Sequence, residues 1–122
     1  MDNRFKQVYI DETDQVMLIN INRKYEEGMS QSEILEAVSC CWVVGERREG
    51  ADYVLATYQG VVKGVFSIDN WYFKKIENNR KRWAFKGEVA PASITDKYID
   101  GSISHYIKRG SQNPIYYINC PY

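Results

Sequence analysis

A chain of 122 residues with 44% hydrophobic and 26% charged side chains can bury its own core, and it fits neither a disordered segment nor a membrane-spanning one. Sixteen basic residues balance sixteen acidic ones, which argues against gripping long DNA by bulk charge alone. No stretch approaches about 18 unbroken apolar residues, and Met1-Asp2-Asn3-Arg4-Phe5 lacks the basic-then-apolar layout of a secretion signal, so a cytoplasmic protein with a single domain over residues 1–122 is expected.

Residues 15–23 alternate as a strand, with Met17, Ile19 and Ile21 on one face and Val16, Leu18, Asn20 and Asn22 on the other. Gly28 breaks the chain, and Ser30-Gln31-Ser32-Glu33 is a capping box that predicts a helix running to about Cys40, with Ile34, Leu35 and Val38 on one side. Trp42-Val43-Val44 begins extended structure, and 45–50 is a charged loop. Two β-rich runs, 53–58 and 61–68, form a hairpin through Gln59-Gly60. Gly64 inside the second run marks a bulge, a place where something approaches the backbone, or a simple packing glycine. Asp69-Asn70 is expected to turn the chain, and 77–79 to form a loop tip. Residues 82–89 alternate as another strand, with Trp83 and Phe85 on one face. Short serine-capped helices are expected over 93–99 and 102–109, the second closed by Gly110, and 115–120 reads as a last strand. The pattern predicts an α+β fold: a mostly antiparallel sheet of about five or six strands, with one longer helix and short helices packed on it.

The residues offer little for bond-breaking chemistry. No phosphate-loop or dinucleotide glycine fingerprint occurs, and no cofactor is implied. Cys40, Cys41 and Cys120 are odd in number and lack metal-ligand spacing, which argues against a disulfide framework, and a lone His105 leaves little material for zinc. The default for His105, within the expected 102–109 helix, is a surface or interface role.

Binding chemistry is better represented. Between Trp71 and Asn113 lie Trp71-Tyr72-Phe73-Lys74-Lys75, Arg80-Lys81-Arg82-Trp83-Ala84-Phe85-Lys86 and Lys108-Arg109-Gly110-Ser111-Gln112-Asn113-Pro114. Residues 74–86 carry six cations against one anion, Glu77, giving either a positive patch or a solvated hairpin tip. Trp71, Phe73, Trp83 and Phe85 are interrupted by cations, and at least one of them is expected to serve as a stacking platform, the others as core. The turn around Arg109, Gln112 and Asn113 suits ribose and phosphate recognition, or else simply caps a helix. A nucleotide-like anion is the ligand class these residues favour, with an RNA- or DNA-binding module that reads a base with the 71–86 hairpin as the alternative.

Asn22-Arg23-Lys24-Tyr25 ahead of the capped helix, Trp42-Val43-Val44-Gly45-Glu46-Arg47, Tyr53-Val54-Leu55-Ala56 with Gly60-Val61-Val62, Trp71, Arg82-Trp83-Ala84-Phe85-Lys86-Gly87 and Asn113-Pro114-Ile115-Tyr116 span about residues 20–119. In this layout the chain resembles the phage-encoded first class of Thoeris anti-defence proteins. The resemblance implies a sponge that sequesters cyclic ADP-ribose isomers in the host cytoplasm without degrading them. It also implies a homodimer with pockets near the subunit interface, with further assembly into a hexamer that holds cyclic oligonucleotides as well. Carried onto this chain, it puts the aromatic clamp among Trp71, Phe73 and Trp83, and the ribose and phosphate contacts on Arg109, Gln112 and Asn113; Arg82, from the basic run before Trp83, completes the set of expected ligand-binding residues.

Overall fold

The computed structural model describes residues 6–108 and 110–120. Its frame is a six-stranded sheet: β1 (Val16–Asn20), β2 (Cys40–Trp42), β3 (Tyr53–Tyr58), β4 (Val61–Glu77), β5 (Arg80–Val89) and β6 (Ile115–Ile118), in the spatial order β2-β5-β4-β3-β1-β6. Only β1 and β3 run parallel; every other neighbouring pair is antiparallel. Two helices of nearly equal length accompany it, α1 (Gln31–Val38) and α2 (Ala92–Tyr98).

The period-two pattern of β1 sorts its side chains between two cores. Met17 and Ile19 join Ile34, Val38, Phe66 and Phe85 beneath α1, while Val16 and Leu18 join Leu55, Val62, Val65 and Tyr98 beneath α2. A strand buried on both faces accounts for the unbroken apolar run.

The start of α1 follows the capping box: Ser30 Oγ accepts from Glu33 N at 3.2 Å, and Glu33 Oε1 accepts from Ser30 N at 2.8 Å. Its other end is equally well satisfied. The carbonyls of Leu35, Glu36, Ala37 and Val38 accept, in turn, from Ser39 N, Ser39 Oγ, Lys24 Nζ and Trp42 Nε1. The sulfurs of Cys40 and Cys41 are joined, and Cys120 is buried as a thiol. A link between neighbours closes no length of chain, so it staples nothing together.

The β3–β4 hairpin turns at Gln59 (φ 50°) and Gly60 (φ 80°), the left-handed pair of a two-residue turn. Ala56 pairs with Gly64 but Thr57 with Val62, so a bulge does sit beside Gly64. The expected turn at Asp69-Asn70 is absent. Register shifts between Ile68 and Asn70, and again between Phe73 and Lys75, absorb the extra residues as bulges, and β4 continues to Glu77. The chain reverses instead at Asn78 (φ 53°) and Asn79 (φ 61°).

The 45–50 loop is wound into a 3-10 turn over Glu46–Gly50. On the opposite face, the helix expected over 102–109 shrinks to a 3-10 turn over Ser104–Tyr106, because Ser102 is held extended by bridges to both Gln7 and Val61. Neither serine caps a helix as expected; Pro91, with φ −55°, leads into α2. Tyr98 anchors this helix: its hydroxyl donates to the Asp14 carboxylate and accepts from Asp11 N at 3.0 Å. Lys97 Nζ reaches the same carboxylate at 2.9 Å, and Asn119 Nδ2 donates to the Asp11 and Asp14 carbonyls.

Candidate functional site

The twisted, bulged sheet brings its two ends near each other, so that the segment following β2 faces β6. Arg47 lies over the Tyr117 ring at 4.7 Å, and Val43 and Ile115 line the same hollows. Between them runs a groove of three adjoining hollows of about 400, 600 and 610 Å³. Asn113 borders all three.

The central hollow is walled by Lys24, Trp42, Asn78, Arg80 and Arg82. One flanking hollow is made by Val43, Val44, Gly45, Arg47, Tyr116 and Tyr117. The other is made by Asn20, Asn22, Arg23, Ser111 and Gln112, with Lys24 and Trp42 shared. Among the described residues five Lys and Arg side chains therefore line the groove, and no Asp or Glu does. On a molecule of zero formal charge this is a marked local excess of positive potential.

Backbone geometry at the end of β1 sets two of those cations. Asn20 N donates to Pro114 O, and the Ile21 carbonyl accepts from both Lys24 N and Tyr25 N, turning the chain sharply after the strand. Asn20 Oδ1 accepts from Asn22 N, and Asn22 Oδ1 accepts from Gln59 N, which ties the turn to the β3–β4 hairpin. Lys24 Nζ donates to Ala37 O (3.0 Å) and Cys40 O (2.9 Å) and lies 4.9 Å from the centre of the Trp42 ring. Burial holds its ammonium below the usual lysine range, so a neighbouring negative charge would be welcome there. The β4–β5 hairpin delivers Arg80 and Arg82. Arg82 Nε is buried without a hydrogen-bond partner among the described residues; the nearest carboxylate oxygen, Glu77 Oε1, is 3.5 Å away.

The structure brings together Arg82, Gln112 and Asn113 of the residues expected to bind. It does not bring the three aromatic rings to them. Trp71, 8% exposed, packs in the core with its ring 5.1 Å from that of Phe85, and its indole N–H has no partner among the described residues. Trp83 carries the Arg48 guanidinium 3.7 Å above its ring, while Phe73, 49% exposed, meets it edge-on at 6.0 Å. Arg109 lies outside the described residues.

The rings that do line the groove are Trp42, Tyr116 and Tyr117, the last with its hydroxyl pushed up by burial. Sequence reasoning quoted Arg23, Lys24, Trp42 and Arg47 only for the family layout and Arg80 only as one of the six cations of 74–86, and put none of them among the expected ligand-binding residues. The available signal was the abrupt change from an apolar strand to Asn20, Asn22, Arg23 and Lys24 at its end.

Chemically the groove offers cations, amides, one hydroxyl from Ser111, two phenols and an indole, and among the described residues no His, Asp or Glu lines it. Among the described residues no cluster of three metal-ligating side chains forms. His105 is exposed outside the groove, packed against Tyr9 and Tyr106 at 4.7 and 4.3 Å. No helix among the described residues is long and apolar enough to cross a membrane. Compared with known proteins, the chain matches no family, no curated protein and no solved structure.

Proposed function

We propose that the groove captures a nucleotide-type anion and holds it without cutting it, as the sponge named by the sequence resemblance does with cyclic ADP-ribose isomers. The observation that carries this reading is the gathering, among the described residues, of five cations and no carboxylate along a groove that also presents an indole and several amides. Each guanidinium–phosphate contact contributes about 1.5–3 kcal/mol and each stacked base about 1–3 kcal/mol, enough in combination for tight capture of a small dianion. A lining that, among the described residues, lacks a carboxylate or imidazole base favours binding over turnover. On this reading the protein acts in the host cytoplasm as a homodimer or hexamer, with cyclic oligonucleotides as further guests. Exposed Phe73, Ile76 and Val89 supply apolar surface for a second copy.

The test is calorimetric titration with cyclic ADP-ribose isomers, followed by heat denaturation and recovery of the ligand. Saturable binding and intact ligand are expected. Consumption of the ligand would replace the sponge with an enzyme, and absence of any binding would remove the signal-capture function altogether.

A second reading, a nucleic-acid module, draws on the β4–β5 hairpin. Phe73 and Ile76 (49% and 65% exposed) stand there among exposed Lys74, Lys75, Arg80 and Lys81. It predicts oligonucleotide affinity that falls steeply with salt, whereas capture of a compact ligand falls gently.

A further inference from the structure

The three hollows differ in chemistry, and the difference assigns the parts of a ligand. We infer that phosphate occupies the central hollow, against Arg80 and Arg82, and that a flat base occupies the flanking hollow formed by Arg47, Tyr117 and the two valines. This inference rests on the nucleotide reading above and narrows it to ligands whose phosphates lie beside a base.

The central hollow has the densest charge: Lys24, Arg80 and Arg82 share it. Arg82 Nε is enclosed 3.5 Å from Glu77 Oε1, without a hydrogen bond among the described residues, so the guanidinium that lines the hollow would meet an incoming acceptor through its terminal N–H groups. The Lys24 ammonium has three N–H groups, of which two are held by the Ala37 and Cys40 carbonyls. Rigid anchoring of this kind fixes the charge before the ligand arrives.

The flanking hollow has a single cation, Arg47, and that guanidinium is stacked over Tyr117. With Val43 and Val44 beside it, this end presents the flat planes of a guanidinium and a phenol ring within a largely polar lining. It also lies along β6, which among the described residues pairs only with β1 and so leaves one side of its backbone without a strand partner there, able to meet the polar edge of a base. The opposite hollow, with Asn20, Asn22, Ser111, Gln112 and Arg23, suits the hydroxyl-rich remainder of a ligand that continues past the phosphates.

Competition titrations with two probes, inorganic pyrophosphate and ADP, separate the two subsites. The wild-type protein is expected to bind both, ADP more tightly. Arg82→Ala should weaken both probes alike, by roughly tenfold or more. Tyr117→Leu should weaken ADP by roughly tenfold and leave pyrophosphate unchanged. Tyr117→Phe, which keeps the ring, should bind both as the wild type does, and it stands in if the leucine variant fails to fold. Equal loss of both probes in Tyr117→Leu, loss of ADP in Tyr117→Phe, unchanged pyrophosphate in Arg82→Ala, or ADP binding without pyrophosphate binding would each overturn the assignment. Capture of cyclic ADP-ribose with no affinity for either probe would overturn it too while leaving the sponge intact; no affinity for any of the three would end both.

Discussion

Replacing Tyr98 with phenylalanine removes one oxygen from the α2 face and leaves the ring in place. That oxygen accepts from Asp11 N and donates to the Asp14 carboxylate, in a side chain only 1% exposed. One of the two lost bonds is to a charged partner, and the carboxylate keeps Lys97 at 2.9 Å, so a loss of about 2 kcal/mol is expected near neutral pH, or roughly 8 °C in melting temperature for a chain of this size. Burial, and then the bond to Asp14, pushes the Tyr98 hydroxyl up to about 12 from 10.0. The folded state therefore favours the protonated phenol. Its contribution is complete below pH 10 and is lost as the pH climbs through about 12, with about 2 kcal/mol gone by roughly pH 11.5. Urea unfolding of both proteins across that range supplies the test, because the tyrosines and lysines they share cancel in the difference. The wild type should lead by about 2 kcal/mol at about pH 8, and the gap should close by about pH 11.5. A gap that stays constant with pH, or that is absent at pH 8, would refute the role given to this hydroxyl.

Three further outcomes follow from packing. Gly87→Ala would drive a methyl into the Ser67 carbonyl across the β4–β5 ladder, so a loss of about 3 kcal/mol or failure to fold is expected, read by circular dichroism on heating. Trp71→Ala should cost about 3–5 kcal/mol of stability, whereas Trp71→Phe should cost far less because it also removes an unpartnered indole N–H; neither should change ligand affinity at temperatures where the variant stays folded. Trp42→Phe takes the donor from the Val38 carbonyl, bonded at 2.7 Å, and should lower stability by about 1 kcal/mol and nucleotide affinity as well; unchanged affinity would remove this ring from the binding surface.

Local rules carried much of the fold. The capping box at Ser30, the two-residue turn at Gln59-Gly60 and the alternation through β1 and β5 are written in neighbouring residues, and the structure follows them. Where long-range pairing competes, local rules fail. Asp69-Asn70 has turn residues, yet pairing with β5 on both sides outweighs that preference and leaves a bulge. Ser102 looks like a helix cap, yet two bridges hold it extended. The site was legible in part for the same reason. Arg82, Gln112 and Asn113 stood out by composition, but Trp42 and Lys24 reach the groove only because the sheet curls and α1 needs its last carbonyls satisfied. Tryptophans placed among cations look accessible in one dimension; Trp71 is nonetheless enclosed, because β4 turns that side of itself toward α1.

Four strands separate β2 from β6 in the sheet, so whatever settles between the segment after β2 and β6 touches both margins at once. A guest seated there acts as a clasp: the margins cannot part without expelling it. Occupancy should consequently slow amide hydrogen exchange along both outer strands, including at residues that never meet the guest, and raise the melting temperature in step with its concentration.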